Sequence, residues 1–130
     1  MLMLENRSFD HLLGYLKQRN PAIEGLTGSE HNYVDPGSPS AATKVTVREV
    51  TAGTMPYDPG HEFADVNAQL FGADDARPTS PARMNGFVAC ARKGTADLNA
   101  AKRIMECFKP EQLSVHVGHP PQPATRQPAK

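Results

Sequence analysis

Proline and glycine restrict the fold of this chain more than any other feature of its sequence. Its 130 residues include twelve prolines and ten glycines, which interrupt helices and strands or turn the backbone. Hydrophobic residues make up 38% of the chain and tryptophan is absent, so the apolar share is below that of an average globular domain. We expect one domain with a thin core, a few short elements and long loops.

The charge pattern and the cysteines exclude several classes of protein. Acidic and basic residues balance at fourteen each, and no lysine and arginine stripe is present, so nucleic acid is not an expected partner. No segment approaches the ~20 apolar residues of a membrane-spanning helix, and the printed N-terminus has no export signal. Cys90 and Cys107 fit neither a zinc ribbon nor a redox pair. We predict two buried free thiols, with a single disulfide between them as the alternative.

A dense polar cluster at residues 5–10 separates an apolar run at residues 1–4 from a second apolar run. Ser8 is placed as the N-cap of a helix, and Asp10 lies in the first turn, where the helix dipole favours an anion. The helix face consists of Phe9, Leu12, Leu13 and Leu16. The order therefore predicts a strand, a polar turn and a helix.

The middle of the chain predicts one strand between long loops. Residues 20–42 are rich in glycine, proline, serine and asparagine, which favours a loop. In residues 43–50, Val45 and Val47 alternate with polar neighbours, as in a half-exposed strand.

Two more helices are predicted after this strand. A turn at residues 58–60 delivers His61 to the start of the second helix, which ends at Gly72. Its apolar stripe consists of Phe63, Val66, Leu70 and Phe71. A polar linker over residues 73–83 follows. The third helix begins near Asp97, carries Leu98, Ala101, Ile104, Met105 and Phe108, and is closed by Lys109 and Pro110. Residues 115–130 contain four prolines and should be disordered.

Glu5 and Asn6 are candidate metal ligands because they directly follow a strand-like run. Ligands of open α/β sheets bind beyond the carboxyl ends of the strands. A carboxylate and an amide oxygen are hard donors that suit a divalent cation. The alternative is a solvated turn in which Ser8 caps the helix and Arg7 pairs with Asp10.

His61 is the second candidate, since it stands at a predicted helix N-terminus, where backbone N–H groups attract anions. Its imidazole could contact a phosphoryl oxygen or protonate a leaving group. The alternative is a helix-entry residue that hydrogen-bonds to the backbone. His116 and His119 form an H-x-x-H pair, but a third ligand is missing there and zinc is not favoured.

Four segments carry recognisable motifs in order along the chain. They are residues 5–11 (ENRSFDH) with Gly14, residues 58–63 (DPGHEF) with Asp65, Val66 and Gln69, residues 84–87 (MNGF), and residues 104–113 (IMECFKPEQL). Together they resemble the phosphoesterase family that includes non-specific phospholipases C and a group of acid phosphatases. The similarity covers residues 1 to about 113, and four segments in the right order are far more specific than any single one.

The resemblance implies a partial alkaline-phosphatase-like α/β fold with a metal-dependent site at the strand ends. Glu5 and Asn6 would then be ligands of a divalent metal ion, and His61 would lie near the phosphoryl group. The implied reaction is hydrolysis of a phosphate ester, such as a phospholipid, through a covalent intermediate on a serine or threonine. Residues 1–113 would form the N-terminal part of such a domain and residues 114–130 a disordered tail.

The chain departs from the family pattern after Leu113. Nothing there resembles the loop that carries the nucleophile, and the later acidic and histidine ligands are absent too. We therefore expect an inactive N-terminal fragment whose tail comes from a shifted reading frame. A non-catalytic remnant or small interaction module, or one part of a split enzyme, are the alternatives. Family members are often exported, but the sequence decides neither compartment nor oligomeric state.

Overall fold

The computed structural model describes residues 8–51, 53–72 and 82–113 of the chain. Glu5, Asn6 and the predictions made for residues 1–4, 73–81 and 114–130 lie outside them. The helices are α1 (Phe9–Leu13), α2 (Phe63–Phe71), α3 (Phe87–Gly94) and α4 (Leu98–Lys102). The strands are β1 (His31–Tyr33), β2 (Lys44–Thr46), β3 (Arg48–Glu49) and β4 (Glu106–Cys107). This mixture of helices and short strands confirms the α/β class.

Helix α1 begins where its capping residue predicts. Ser8 has an extended backbone, and its Oγ accepts a hydrogen bond from the N–H of His11 at 3.1 Å. This bond satisfies one of the donors left open at a helix N-terminus. The α-helix ends at Leu13 and the chain continues as a tighter 3₁₀ helix over Gly14–Gln18. The predicted helix is confirmed, but it is shorter than its apolar spacing indicates.

The first strand pair corrects one prediction and confirms another. β1 lies inside residues 20–42, which were predicted as a loop throughout, and pairs antiparallel with β2. The strand predicted at residues 43–50 is present but divided into β2 and β3. Val45 and Val47 are buried between exposed neighbours, as their alternation predicts.

The second strand pair shows that the predicted third helix is wrong in its second half. α4 begins after Asp97, whose Oδ1 accepts a hydrogen bond from the N–H of Asn99 at 2.8 Å. It ends at Lys102, a 3₁₀ turn follows, and the chain then extends into β4, which pairs parallel with β3. Lys109 and Pro110 therefore do not close a helix. Pairing with a distant strand overrides the helical spacing of the apolar residues.

Helix α2 ends as predicted but buries a different face. Gly72 adopts the left-handed conformation (φ 85°) that ends many helices. The helix starts at Phe63 rather than at His61, and residues 58–60 form no regular turn. Phe63 and Val66 are exposed, whereas Ala68 is buried. The predicted apolar stripe is therefore wrong as the core-facing side of this helix.

Helix α3 was not predicted from the sequence. It buries Val88, Cys90 and Ala91 and packs against both α2 and α4. A separate apolar cluster consists of Tyr15, Leu26, Val47 and Cys107, with Met105 against it. Both cysteines are buried and free, which confirms the predicted thiols. Within the described ranges, no helix has the length and apolar character needed to cross a membrane.

Glu30 organises the loop that leads into β1. Its carboxylate accepts hydrogen bonds from the N–H of Thr27 (2.9 Å), the hydroxyl of Thr27 (2.7 Å) and the N–H of Gly28 (2.9 Å). Gly28 has a φ of 96°, a conformation that glycine adopts without strain. Burial acts to raise the pKa of Glu30, but the hydrogen bonds outweigh it and lower this pKa to about 2.

This lowered pKa predicts an acid-dependent contribution to stability. A carboxylate with a lowered pKa in the folded state stabilises the fold fully above its unfolded pKa, and the contribution is lost as the pH falls through the folded value. A Glu30→Gln variant should therefore be less stable than the parent chain near neutral pH, and the difference should shrink as the pH falls below 4.5 and be lost below about 2. Urea unfolding midpoints at several pH values measure the difference. Glu24→Gln, an exposed change in the same loop, is the control, and a difference that stays constant with pH would contradict the prediction.

Candidate functional site

The predicted metal ligands Glu5 and Asn6 lie outside the described residues, which begin at Ser8. Their donor chemistry, a carboxylate with an amide oxygen, fits a hard divalent cation. Among residues 8–51, 53–72 and 82–113, no group of three or more histidine, cysteine, aspartate or glutamate side chains could hold a metal ion. The His116 and His119 pair also lies outside these ranges.

The first and fourth family-like segments meet directly. The backbone N–H of Phe108 donates to the carbonyl of His11 at 2.7 Å. The two rings are also in edge-to-face contact, with centroids 5.3 Å apart at an interplanar angle of 81°, which is one of the arrangements that aromatic rings prefer. Because His11 belongs to the helix that follows Glu5 and Asn6, this contact ties α1 to the fourth segment.

Close backbone packing surrounds the same helix. The N–H of Leu26 donates to the carbonyl of Gly14 at 2.9 Å. A Cβ at Gly14 would lie 2.7 Å from Leu26 Cγ and 3.0 Å from the carboxylate of Asp10. Burial, with repulsion from Glu30 and Glu24, raises the pKa of Asp10. The packing explains why glycine stands at this position of the segment.

His61 is exposed and stands two residues before α2. Its Nδ1 lies 3.4 Å from the carbonyl oxygen of Pro59. When only Nδ1 carries a proton and donates it to this carbonyl, Nε2 is unprotonated and can accept a proton. When the imidazole is charged, both nitrogens carry protons and Nε2 can donate a hydrogen bond to a phosphoryl oxygen. The position of His61 is therefore compatible with both roles: contact with a phosphoryl group, and a helix-entry residue that hydrogen-bonds to the backbone.

The loop that carries His61 is held by two side chains of α2. Gln69 Nε2 donates to the carbonyl of Gly60 at 2.8 Å. The carboxylate of Asp65 accepts a hydrogen bond from the N–H of Glu62 at 3.2 Å, as part of a capping box. The same carboxylate leaves no room for a side chain at Gly60, where a Cβ would lie 2.4 Å from Asp65 Oδ2. Asp65 and Gln69 therefore position the backbone on either side of His61.

The second and third family-like segments also pack together. The N–H groups of Met84 and Gly86 donate to the carbonyls of Leu70 (2.8 Å) and Gln69 (3.0 Å). A Cβ at Gly86 would lie 1.8 Å from the carbonyl oxygen of Ala68. Glycine is therefore required where this segment crosses α2.

Asn32 joins β1 to the third segment and was missed by the sequence analysis. It is buried, its Nδ2 donates to the carbonyl of Met84 at 3.0 Å, and its Oδ1 accepts from the N–H of Phe87 at 2.8 Å. The amide thus satisfies one backbone acceptor and one backbone donor at the start of α3. An asparagine in a loop-like sequence carries no local signal of such a role.

Glu106 is the most deeply buried charged residue in the described part of the chain, at 1% exposure. Its carboxylate accepts hydrogen bonds from Arg48 (2.9 Å), Thr51 (3.0 Å) and Arg103 (3.0 Å). Burial acts to raise the pKa of Glu106, but the bonds from Arg103 and Thr51 hold it below its ordinary value. This residue lies in the fourth segment, but the sequence analysis assigned it no role.

Two buried polar atoms have no hydrogen-bond partner among the described residues: the hydroxyl of Tyr57 and Oδ1 of Asn85. Burial, with the nearby Cys90 thiol, raises the pKa of Tyr57 to about 12. Cys90 Sγ lies 3.7 Å from both Gln69 Nε2 and Asp65 Oδ1, and burial raises its pKa. The phenol and the thiol are therefore neutral near pH 7.

Comparison with known proteins identifies one family. A model described as the phosphoesterase family matches residues 1–119. Curated relatives from Arabidopsis thaliana include non-specific phospholipase C1, 39% identical over 116 residues, and non-specific phospholipase C6, 40% identical over 117 residues. Non-specific phospholipase C3 is 38% identical over 119 residues. The matches cover 88 to 89% of this chain but only 21 to 22% of each relative, so the chain spans about a fifth of their length.

Proposed function

Because this chain belongs to the phosphoesterase family, a family of phosphate ester hydrolases, we propose that its residues form the N-terminal part of a phospholipase C-like active site. The substrate class is a phosphate ester, with a phospholipid as the favoured case. The observation that carries the proposal is the family match over residues 1–119, which contains all four segments. The names of the Arabidopsis relatives support the phospholipid.

In this proposal Glu5 and Asn6 are ligands of a divalent metal ion. Such an ion supplies charge stabilisation to the phosphoryl group when it is bound. The contact between His11 and Phe108 supports this role, because it ties the helix after the two ligands to the fourth segment. Capping of the same helix by Ser8 engages that hydroxyl in structure, and Ser8 is not proposed as the nucleophile.

His61 contacts the phosphoryl group in this proposal. Its exposure supports the role, since a substrate can reach the imidazole without movement of the fold. The bonds from Gln69 to Gly60 and from Glu62 to Asp65 restrain the backbone around it. A charged or proton-donating Nε2 would bind a phosphoryl oxygen and offset its negative charge.

We also propose that the 130-residue polypeptide alone has negligible hydrolytic activity. One carboxylate and one amide oxygen are too few ligands to hold a divalent ion in a productive geometry. Purified polypeptide should therefore release no p-nitrophenol from p-nitrophenyl phosphorylcholine above the background rate with Mg²⁺, Mn²⁺ or Ca²⁺. Metal-dependent turnover by the isolated polypeptide would contradict this part of the proposal.

A chimera tests the proposed residue roles. In it, this chain replaces the matched region of Arabidopsis non-specific phospholipase C1, and hydrolysis of phosphatidylcholine is measured. We expect the chimera to have metal-dependent activity. In His61→Ala, kcat/KM should fall by roughly 10²–10⁴-fold, because a positioned acid or base contributes about that factor. In Glu5→Ala, the metal-dependent activity should be lost.

The matched control is His31→Ala, an exposed histidine outside the four segments, which should retain parental activity. His61 is also exposed, so its variant should keep the parental melting temperature. A His61→Ala chimera with undiminished kcat/KM would refute the phosphoryl contact and leave the helix-entry role.

A further inference from the structure

The outer side of α2 carries an apolar stripe that is largely exposed in the part of the chain that the structure describes. Phe63, Val66 and Leu70 recur at i, i+3 and i+7, which places them on one side of the helix. Phe63 is 85% exposed and Val66 is 41% exposed, and Leu70 is partly buried. Met84, whose N–H donates to the carbonyl of Leu70, is a further exposed apolar residue at this end of the helix, at 49% exposure.

The stripe is not needed for the packing that holds α2 in place. Ala68, on the side of the helix away from the stripe, is buried, and its carbonyl oxygen makes the closest approach to Gly86 of the third segment. Asn67, four residues after Phe63, is buried at the border of the stripe. α2 thus has one side packed against α3 and a second apolar side facing solvent. Exposed apolar patches with a polar border typically mark a surface that another structure covers.

The charges around the stripe argue against a membrane as its partner. Glu62 and Asp65 lie at the start of α2, Asp58 precedes them, and the helix contains no lysine or arginine. Helices that lie on membranes usually combine an apolar face with basic residues that attract anionic lipids. The acidic residues at the start of this helix outnumber Arg83, the basic residue that precedes Met84, and favour a protein surface instead.

We propose that the stripe of Phe63, Val66 and Leu70 is the surface on which the part of a phosphoesterase domain that this chain does not contain packs. The chain spans 21% of the length of non-specific phospholipase C1, so the domain of that relative has ample additional structure to cover the stripe. This packing also places the partner beside His61, which immediately precedes the stripe. The inference rests on family membership and on exposure, and it does not require hydrolysis.

Thiol labelling measures whether the stripe is covered. Phe63→Cys in the 130-residue polypeptide should react with a maleimide at the rate of an exposed thiol. In the chimera with the rest of non-specific phospholipase C1, the same cysteine should react more than about 100-fold more slowly, because labelling then requires local opening. The modified fraction is read on the tryptic peptide by mass spectrometry. Cys90 and Cys107 are buried, and burial raises the pKa of Cys107 to about 12, so they contribute little background.

Ala64→Cys is the matched control on the same helix. Ala64 is exposed and outside the stripe, so its cysteine should label rapidly in both proteins. Should the chimera fail to fold, a cysteine at the position of the intact Arabidopsis relative that aligns with Phe63 gives the same comparison.

Equal labelling of Phe63→Cys in the short polypeptide and the full-length protein would overturn the proposal. Protection that appears only after phosphatidylcholine vesicles are added would also overturn it, because a lipid surface would then be the partner. Since no turnover is measured, a folded but inactive chimera with a protected cysteine would refute the proposed function and support this inference.

Discussion

Replacing Gly86 with alanine is expected to prevent this chain from reaching its native fold. A Cβ at this position would lie 1.8 Å from the carbonyl oxygen of Ala68, 2.8 Å from its carbonyl carbon and 3.2 Å from Gly72 Cα. All three are backbone atoms of α2 or its cap, so no side-chain rotation relieves the clash. The φ of Gly86 is −99°, which alanine adopts readily, so the effect comes from contact rather than from backbone strain.

The expected loss in the free energy of unfolding is more than about 3 kcal/mol, the upper end of what an added methylene costs in a packed core. α2 and α3 would have to separate, which also breaks the hydrogen bond from Gly86 to Gln69. Circular dichroism with urea unfolding measures the change. Gly53→Ala is the matched control, because a Cβ there has open space around it. A cooperative transition at the parental midpoint in Gly86→Ala would contradict the prediction.

Glu106→Ala is expected to produce the second large loss of stability. The substitution removes a carboxylate that is 1% exposed and that accepts bonds from Arg48, Thr51 and Arg103. Removing one partner of a buried ion pair costs about 3–5 kcal/mol, and the half-exposed Arg48 places this case near the lower limit. Thermal and urea unfolding measure the loss.

The same pair of strands provides a control for Glu106. Glu49 lies on β3, and its carboxylate is 2.9 Å from Lys109 Nζ with both side chains substantially exposed. Ion pairs of this kind add little to stability because solvent screens them. Glu49→Ala should therefore leave the unfolding midpoint almost unchanged. If the two substitutions lowered stability equally, the burial of Glu106 would not explain its contribution to the free energy of unfolding.

Local signals in the sequence predicted the element boundaries that depend on near neighbours. Ser8 caps α1, Asp97 caps α4 and Gly72 ends α2, each as its residue type indicates. A cap needs only backbone groups within a few residues, so no distant contact can easily override it. The alternation of Val45 and Val47 also correctly predicted which strand residues are buried.

Pairing with distant residues explains the elements that the sequence analysis missed. β1 forms because it pairs with β2, and its residues have no strand-like alternation of their own. β4 lies in a stretch with the apolar spacing of a helix, but its pairing with β3 and the hydrogen bond that Arg48, 58 residues earlier, donates to Glu106 make it a strand. α3 begins at the bond from Phe87 to Asn32, 55 residues earlier.

The sequence alone determined the caps, the free thiols, the α/β class and the four segments that identify the phosphoesterase family. Only the tertiary structure decided which side of α2 is buried, which segments meet, and that Glu106 and Asn32 hold them together. The physical reason is the separation along the sequence of the interacting atoms. A cap or a turn depends on atoms a few residues away, whereas burial and strand pairing depend on distant residues that the fold brings into contact. His61 illustrates both: its residue type and its segment make it a candidate site residue, whereas its exposure and the restraint of its loop by α2 are known only from the structure.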